Sequence, residues 1–308
     1  MERAQAARSS RREFLDNALA GVAGVALSGT TMAAQRRDAV DGEKGVQIAI
    51  ATIALDGFGD EYFEQAFRLV PQIGIKNVEF NVWFPRTVTP GGIAHIQEGC
   101  YRQGLKPVCL QGTAFGGNVV KDVAHKIWLM EQIKGLGGRR VKFTGARRGD
   151  DGGLDTVIAT LKAIAPAAEE LDVLVLVENH ANNNIETIDD YDRIFAAVPS
   201  RHVGMCLDMA HFDGANVDNF AVIERFHERI LHIDMKDTAA RGVHKVVNYG
   251  SGVTDVHGIV KKALERGYSG YLVIEQAPPL SRETLVADMT RAFGMFKSYE
   301  RGLATGAV

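Results

Sequence analysis

The sequence predicts a (β/α)8 TIM barrel, and three observations carry that expectation. Short apolar runs alternate with longer amphipathic runs eight times between residues 47 and 299. One of these runs, residues 173–178, is apolar up to its last position, as a parallel strand covered on both faces should be. No GxGxxG follows the first strand and no Ser-, Pro- or charge-rich linker divides the region. A single closed barrel is therefore favoured over an open doubly wound sheet.

The elements follow in order. Residues 47–52 read as the first strand, and 60–72 as its helix, with Phe63, Phe67 and Val70 at helical spacing. Strand two is 77–82, after Gly74, followed by a helix over 91–103. Strand three is 106–111 with a helix over 119–134, and strand four is 140–144 with a helix over 154–169. Strand five is 173–178, and Thr187-Ile-Asp-Asp190 has the form of a capping box that opens the fifth helix. Strand six is 203–208, with a helix over 217–228. Strand seven is 229–235 and its helix 255–266; strand eight is 271–275 and the last helix 281–299.

Of the 308 residues, 46% are hydrophobic and 24% charged, which excludes a disordered, collagenous or disulfide-scaffolded chain. The net charge of -3 offers no global basic field for nucleic acid or an anionic membrane. Cys100, Cys109 and Cys206 form no CxxC pattern, and burial as small hydrophobes is expected of all three. At the N-terminus, Ser10-Arg11-Arg12-Glu13-Phe14-Leu15 resembles a twin-arginine export motif. A Gly- and Ala-rich apolar run over 18–27 follows, too short to span a bilayer, with small residues at Thr31, Ala33 and Ala34. The expected organisation is an export signal over 1–34 and a barrel domain over 35–308, in the periplasm or otherwise outside the cytoplasm. Export would permit a Cys100–Cys109 disulfide.

In such a barrel the C-terminal strand ends carry the chemistry. Strand five ends in Glu178-Asn-His180, strand six in Asp208-Met-Ala-His211 and strand eight in Glu275-Gln276. Strand seven runs Ile230-Leu-His232-Ile-Asp234-Met-Lys236-Asp237. The carboxylates recur 30, 26 and 41 residues apart, one βα unit each time. Acids converging in this way repel one another unless a cation joins them. Oxygen-rich ligation with one imidazole suits Mn2+ or Mg2+ best, and Co2+ or Zn2+ also fits. The alternative is that each acid caps a helix or pairs with a basic residue at the rim.

Together, Gly74-Ile-Lys-Asn-Val-Glu79, Val177-Glu178-Asn-His180, Leu207-Asp208-Met-Ala-His211, Asp234-Met-Lys236-Asp237, Gly250-Ser-Gly252-Val-Thr-Asp255 and Gly267-Tyr-Ser-Gly270 through Glu275 resemble the sugar phosphate isomerase/epimerase superfamily, the xylose isomerase-like TIM barrels. The likeness runs over residues 46 to 299. It implies one divalent metal held by Glu178, Asp208, a residue of strand seven and Glu275. The slot of the family's His holds Asp234, with His232 two residues earlier on the same strand face, so either or both are the expected strand-seven ligands. The resemblance further implies Glu178 and Glu275 as the proton-transferring pair of an isomerase or epimerase acting on a keto-sugar or keto-polyol through an enediolate. A lyase on the same site and a non-catalytic sugar-binding barrel are the alternatives. A small carbohydrate is the expected partner, and the resemblance allows a homodimer.

His211 is expected on a substrate hydroxyl. Lys236 is expected either to neutralise a substrate oxygen or to pair with Asp237, and His180 to touch substrate or support Glu178. Glu79 and Gln111 are expected as rim hydrogen-bonding groups, and Trp83 and Phe84 as packing or as an apolar wall. Gly250-Ser-Gly252 reads as a tight turn more readily than as a phosphate loop. Arg139-Arg140 and Arg147-Arg148 read as solvated ends of strand four.

Overall fold

Side chains alternate across a β-strand, so each strand here carries one set of residues for the helices and one for the barrel interior. A computed structural model describes residues 45–57, 59–149, 153–277 and 281–300. The export signal expected over 1–34 lies outside the described residues. Eight parallel strands close into a barrel: β1 Val46–Ala51, β2 Asn77–Asn81, β3 Lys106–Gln111, β4 Arg140–Thr144, β5 Leu174–Glu178, β6 Val203–Asp208, β7 Ile230–Met235 and β10 Gly270–Ile274. They neighbour one another in chain order, and β10 closes the barrel on β1. Two further strands, β8 Asp237–Ala240 and β9 Val243–Val247, form an antiparallel hairpin of their own.

The outward set includes Ile48, Ile50, Val78, Phe80, Val141, Phe143, Val175, Val177, Leu272 and Ile274, all buried in one apolar cluster with the helices. Those helices are α1 Ile53–Asp56, α2 Glu64–Ile73, α3 Pro90–Gln103, α4 Val119–Gly135, α5 Gly153–Leu171, α6 Ile188–Ala197, α7 Met209–Gly214, α8 Asn219–Phe226, α9 Val256–Glu265 and α10 Leu285–Phe296. Side-chain caps fix the starts of several: Thr89 accepts from Gly92 N, Asn118 from Lys121 N and Asp255 from Gly258 N. The capping box at Thr187 is complete, with Asp190 returning the bond.

The inward set is different. Ala49, Ala51, Leu174, Leu176, Cys206, Tyr271 and Val273 make a second, smaller apolar cluster. In register beside Ala51, Leu176, Cys206 and Val273 stand Glu79, Lys142, His232 and Asp234, none with any exposure. A barrel interior is ordinarily filled by branched apolar side chains. Charge here has to be paired to be tolerated.

Two elements depart from expectation. The helix expected over 217–228 is present as α8, and a short helix not expected, α7, precedes it because Asp208 at the end of β6 accepts His211 N and starts a helix at once. The β8–β9 hairpin occupies what reads as a loop. Its second strand, Val-His-Lys-Val-Val, is largely exposed, so it lacks the apolar pattern of a buried strand. Gly242, at a φ of 72°, makes the turn between the two strands. All three cysteines are buried and free, including Cys100 and Cys109. No helix among the described residues is long and apolar enough to cross a membrane.

Candidate active site

Lys142 reaches the barrel axis because Val141 and Phe143 take the helix-facing positions on either side of it. Its ammonium Nζ lies 2.6 Å from Glu79 Oε1, 2.6 Å from Asp234 Oδ2, 3.1 Å from Glu275 Oε2 and 4.0 Å from Glu178 Oε2. A second ammonium, that of Lys236, lies 2.6 Å from Asp208 Oδ2 and 3.5 Å from Glu275 Oε1. Around these two cations, Glu178, Asp208, Asp234 and Glu275 each bring one carboxylate oxygen to within 4.8 Å of the others. The strand ends that carry these acids do converge, and the cations joining them are lysines.

Hydrogen bonds hold the acids in place. Gln111 Nε2 donates to Glu178 Oε2 at 2.8 Å. Gln111 in turn accepts from Asn81, whose carboxamide oxygen accepts from Thr52 Oγ1 and Ile53 N at 2.8 Å each. A relay across β1, β2 and β3 therefore orients the acid at the end of β5. Asn179 clamps the ends of β5 and β6, accepting from Asp208 N at 2.8 Å and donating to Asp208 O at 2.9 Å. The remaining oxygen of Asp208, Oδ1, is committed to His211 N.

Of the two strand-seven residues, Asp234 joins the four-carboxylate group. His232 turns to Glu79, with Nε2 3.0 Å from Oε2 and 3.6 Å from Asp234 Oδ1. It belongs instead to two neighbouring groups, with Glu79 and Cys109 and with Cys206 and Asp234. His211 Nε2 is 3.7 Å from Asp208 Oδ2, and its ring stacks on that of His180 with centroids 3.9 Å apart. Lys236 pairs with Asp208 and not with Asp237. The Asp237 carboxylate accepts the amides of Gly250, Gly252 and Thr254 at 3.0, 3.0 and 3.1 Å. These are the amides a phosphate would need, so the Gly250-Ser-Gly252 segment is a turn built around Asp237. Glu79 is an interior group, not a rim one. Trp83 packs against the inner apolar cluster. Arg140, expected at a solvated end, is buried, with its guanidinium 4.8 Å from the centre of the Tyr271 ring.

The electrostatics separate the two acids of the expected pair. Burial raises Glu178 to about 8, with the Lys142 charge only partly offsetting it. Burial acts against the charge of Glu275 too, but Lys142 and Lys236 together outweigh it and hold that carboxyl down to about 2. Burial and the Glu275 charge push Asp234 well up. Burial alone would lower both lysines, and the surrounding carboxylates reverse this, keeping them charged. Burial holds the imidazoles of His180, His211 and His232 below their ordinary range, hence neutral.

By donor type the four carboxylates fit a divalent ion, since hard oxygens are what Mn2+ and Mg2+ take. Asp234, Asp208 and Glu275 also pair with the two ammonium groups. Lys142 was not singled out from the sequence. The signal was a cation at the inward position of a barrel strand, two residues from the inward Arg140.

The profile of the xylose isomerase-like TIM barrel matches residues 67–293. The inosose dehydratase of Serratia proteamaculans is 24% identical over 268 residues, covering 78% of this chain and 85% of that one. Other inosose dehydratases match over about half their own length, as in Geobacillus thermodenitrificans, where 23% identity covers 39% of this chain and 46% of that one. Among solved structures, 3-keto-D-glucoside 4-epimerase from E. coli aligns with a TM-score of 0.64 at 15% identity, covering 83% of this chain and all of that one. The IolI protein, crystallised with a zinc atom, aligns with a TM-score of 0.66 at 16% identity, covering 83% of this chain and 99% of that one. At these identities the solved structures share the fold. The profile match spans most of the barrel, and the chain belongs to the xylose isomerase-like TIM barrel family.

Proposed function

We propose that the protein is an isomerase or epimerase of a keto-sugar or keto-polyol that moves a proton at a carbon next to a carbonyl. One observation carries this reading: Glu178 and Glu275 share a buried cluster, yet their acidities are driven to opposite sides of neutrality. Between about pH 2 and about pH 8 the pair holds one proton, on Glu178. Ionised Glu275 takes the α-proton and neutral Glu178 returns one to the carbon that needs it. In the reverse direction the roles exchange. The Lys236 and Lys142 ammoniums face the negative charge that develops on the enediolate oxygens. His211 and His180, neutral and stacked, offer a ring nitrogen to sugar hydroxyls. When bound, a divalent ion held by Glu178, Asp208, Asp234 and Glu275 would supply Lewis-acid polarisation of the carbonyl.

A lyase is the second reading, favoured by the likeness to the Serratia proteamaculans inosose dehydratase over most of the chain. If a hydroxyl or glycosyloxy group lies β to the carbanion, the Glu178 proton goes to that departing oxygen. A panel of ketoses, inososes and 3-keto-glucosides, followed by NMR, distinguishes the readings. An epimer or isomer without loss of water or aglycone supports the first, and their loss supports the second. Binding without turnover across the panel supports a sugar-binding barrel. We extend the proposal to location: residues 1–34 direct export through the twin-arginine route, supported by Ser10 through Leu15 and the apolar run after it. Detection of the chain outside the cytoplasm only while Arg11 and Arg12 are intact tests this.

A further inference from the structure

We propose that Lys142 is the resident cation of the strand-end site and competes with divalent ions for it. The inference rests on reading the four carboxylates as the family's cation site. It adds that in this chain a side chain already fills that role.

Three observations support it. The Lys142 ammonium has no exposure and lies within 3.1 Å of Glu79, Asp234 and Glu275 oxygens, so it cannot withdraw without breaking three buried pairs. Asp234 stands where the family resemblance expects a neutral imidazole. Its Oδ2 lies 2.6 Å from the Lys142 ammonium. The carboxyl that stands in the imidazole's place is thus engaged by a lysine of this chain. Finally, Lys236 draws on Asp208 and on the other oxygen of Glu275. Both oxygens of Glu275 thus face an ammonium.

A divalent ion bonded to Asp234 Oδ2 at about 2.1 Å would sit within about 5 Å of Nζ. Repulsion between the ammonium and a doubly charged ion at that distance, even at an effective dielectric of about 20, corresponds to a loss of affinity on the order of 100-fold or more.

The test measures metal binding and stability rather than turnover, so its failure is distinct from failure of the proposed reaction. The purified full chain, Lys142→Met and Lys142→Arg are assayed for metal content by mass spectrometry and for Mn2+ binding by titration calorimetry. Lys142→Met leaves buried acids unpaired and can fail to fold. The double variant Lys142→Met/Asp234→His replaces both members of the pair at once and guards against this. We expect the parent and Lys142→Arg to hold Mn2+ weakly and to melt at the same temperature with and without it. The double variant should bind one Mn2+ at least about 100-fold more tightly and melt higher in its presence. The proposal is overturned if the parent retains about one divalent ion per chain as tightly as the double variant, or if folded double variant shows no gain.

Discussion

Replacing Lys236 by Met removes the ammonium 2.6 Å from Asp208 Oδ2 while keeping most of the aliphatic stem. Both partners are buried, Lys236 at 3% exposure and Asp208 at 0%. At that distance and an effective dielectric of about 20, the gross attraction is about 6 kcal/mol. Desolvation of both charges returns part of it, but deleting one partner leaves the other buried and unpaired, at a cost of about 3–5 kcal/mol. Glu275 loses its 3.5 Å contact as well. For a domain of this size the melting temperature should fall by about 10 °C. The assay is thermal and urea unfolding of the metal-free parent, Lys236→Met, Asp208→Asn and the double variant. The double variant should recover at least about 2 kcal/mol relative to the sum of the two singles. A loss below about 1 kcal/mol in Lys236→Met, or strict additivity, would refute the pairing.

Three further outcomes follow from the same geometry. Glu275→Gln should lower turnover of the active keto-sugar by at least about 100-fold with little change in KM, measured by steady-state kinetics. Because the working pair holds one proton on Glu178, kcat/KM should fall as pH rises through about 8, where Glu178 loses it; a profile that rises across that range contradicts the assignment. Gly252→Ala would put a Cβ 2.2 Å from Thr238 O and 2.3 Å from Asp237 Oδ1. It should cost about 2 kcal/mol in urea unfolding, since the obstruction includes backbone.

The barrel was legible because parallel strands covered on both faces are near-continuous apolar runs with polar ends, as Val-Gly-Met-Cys-Leu-Asp shows in β6. The strand-end acids were legible for the same reason, since a carboxylate closing an apolar run stands out. The β8–β9 hairpin was not, because its exposed Val243-His-Lys segment carries no burial pattern. Asp208 concealed a second role: the acid read for its place at the strand end also caps α7. Lys142 was missed because its partners lie 92 and 133 residues away at Asp234 and Glu275. Only barrel closure brings β4 opposite β7 and β10, and no local periodicity reports that distance. His232 illustrates the converse: it shares a strand face with Asp234, yet Glu79 on β2 takes its ring nitrogen.

Proton transfer next to a carbonyl by Glu178 and Glu275 is tested most directly in deuterated solvent. The parent and a Glu178→Gln/Glu275→Gln variant, both shown to be folded, are incubated with the keto-sugar panel and followed by NMR. Deuterium entering the α-carbon with the parent and none with the variant is the expected result. Incorporation that persists in the variant, or a parent that converts its substrate without any solvent deuterium at that carbon, would contradict it.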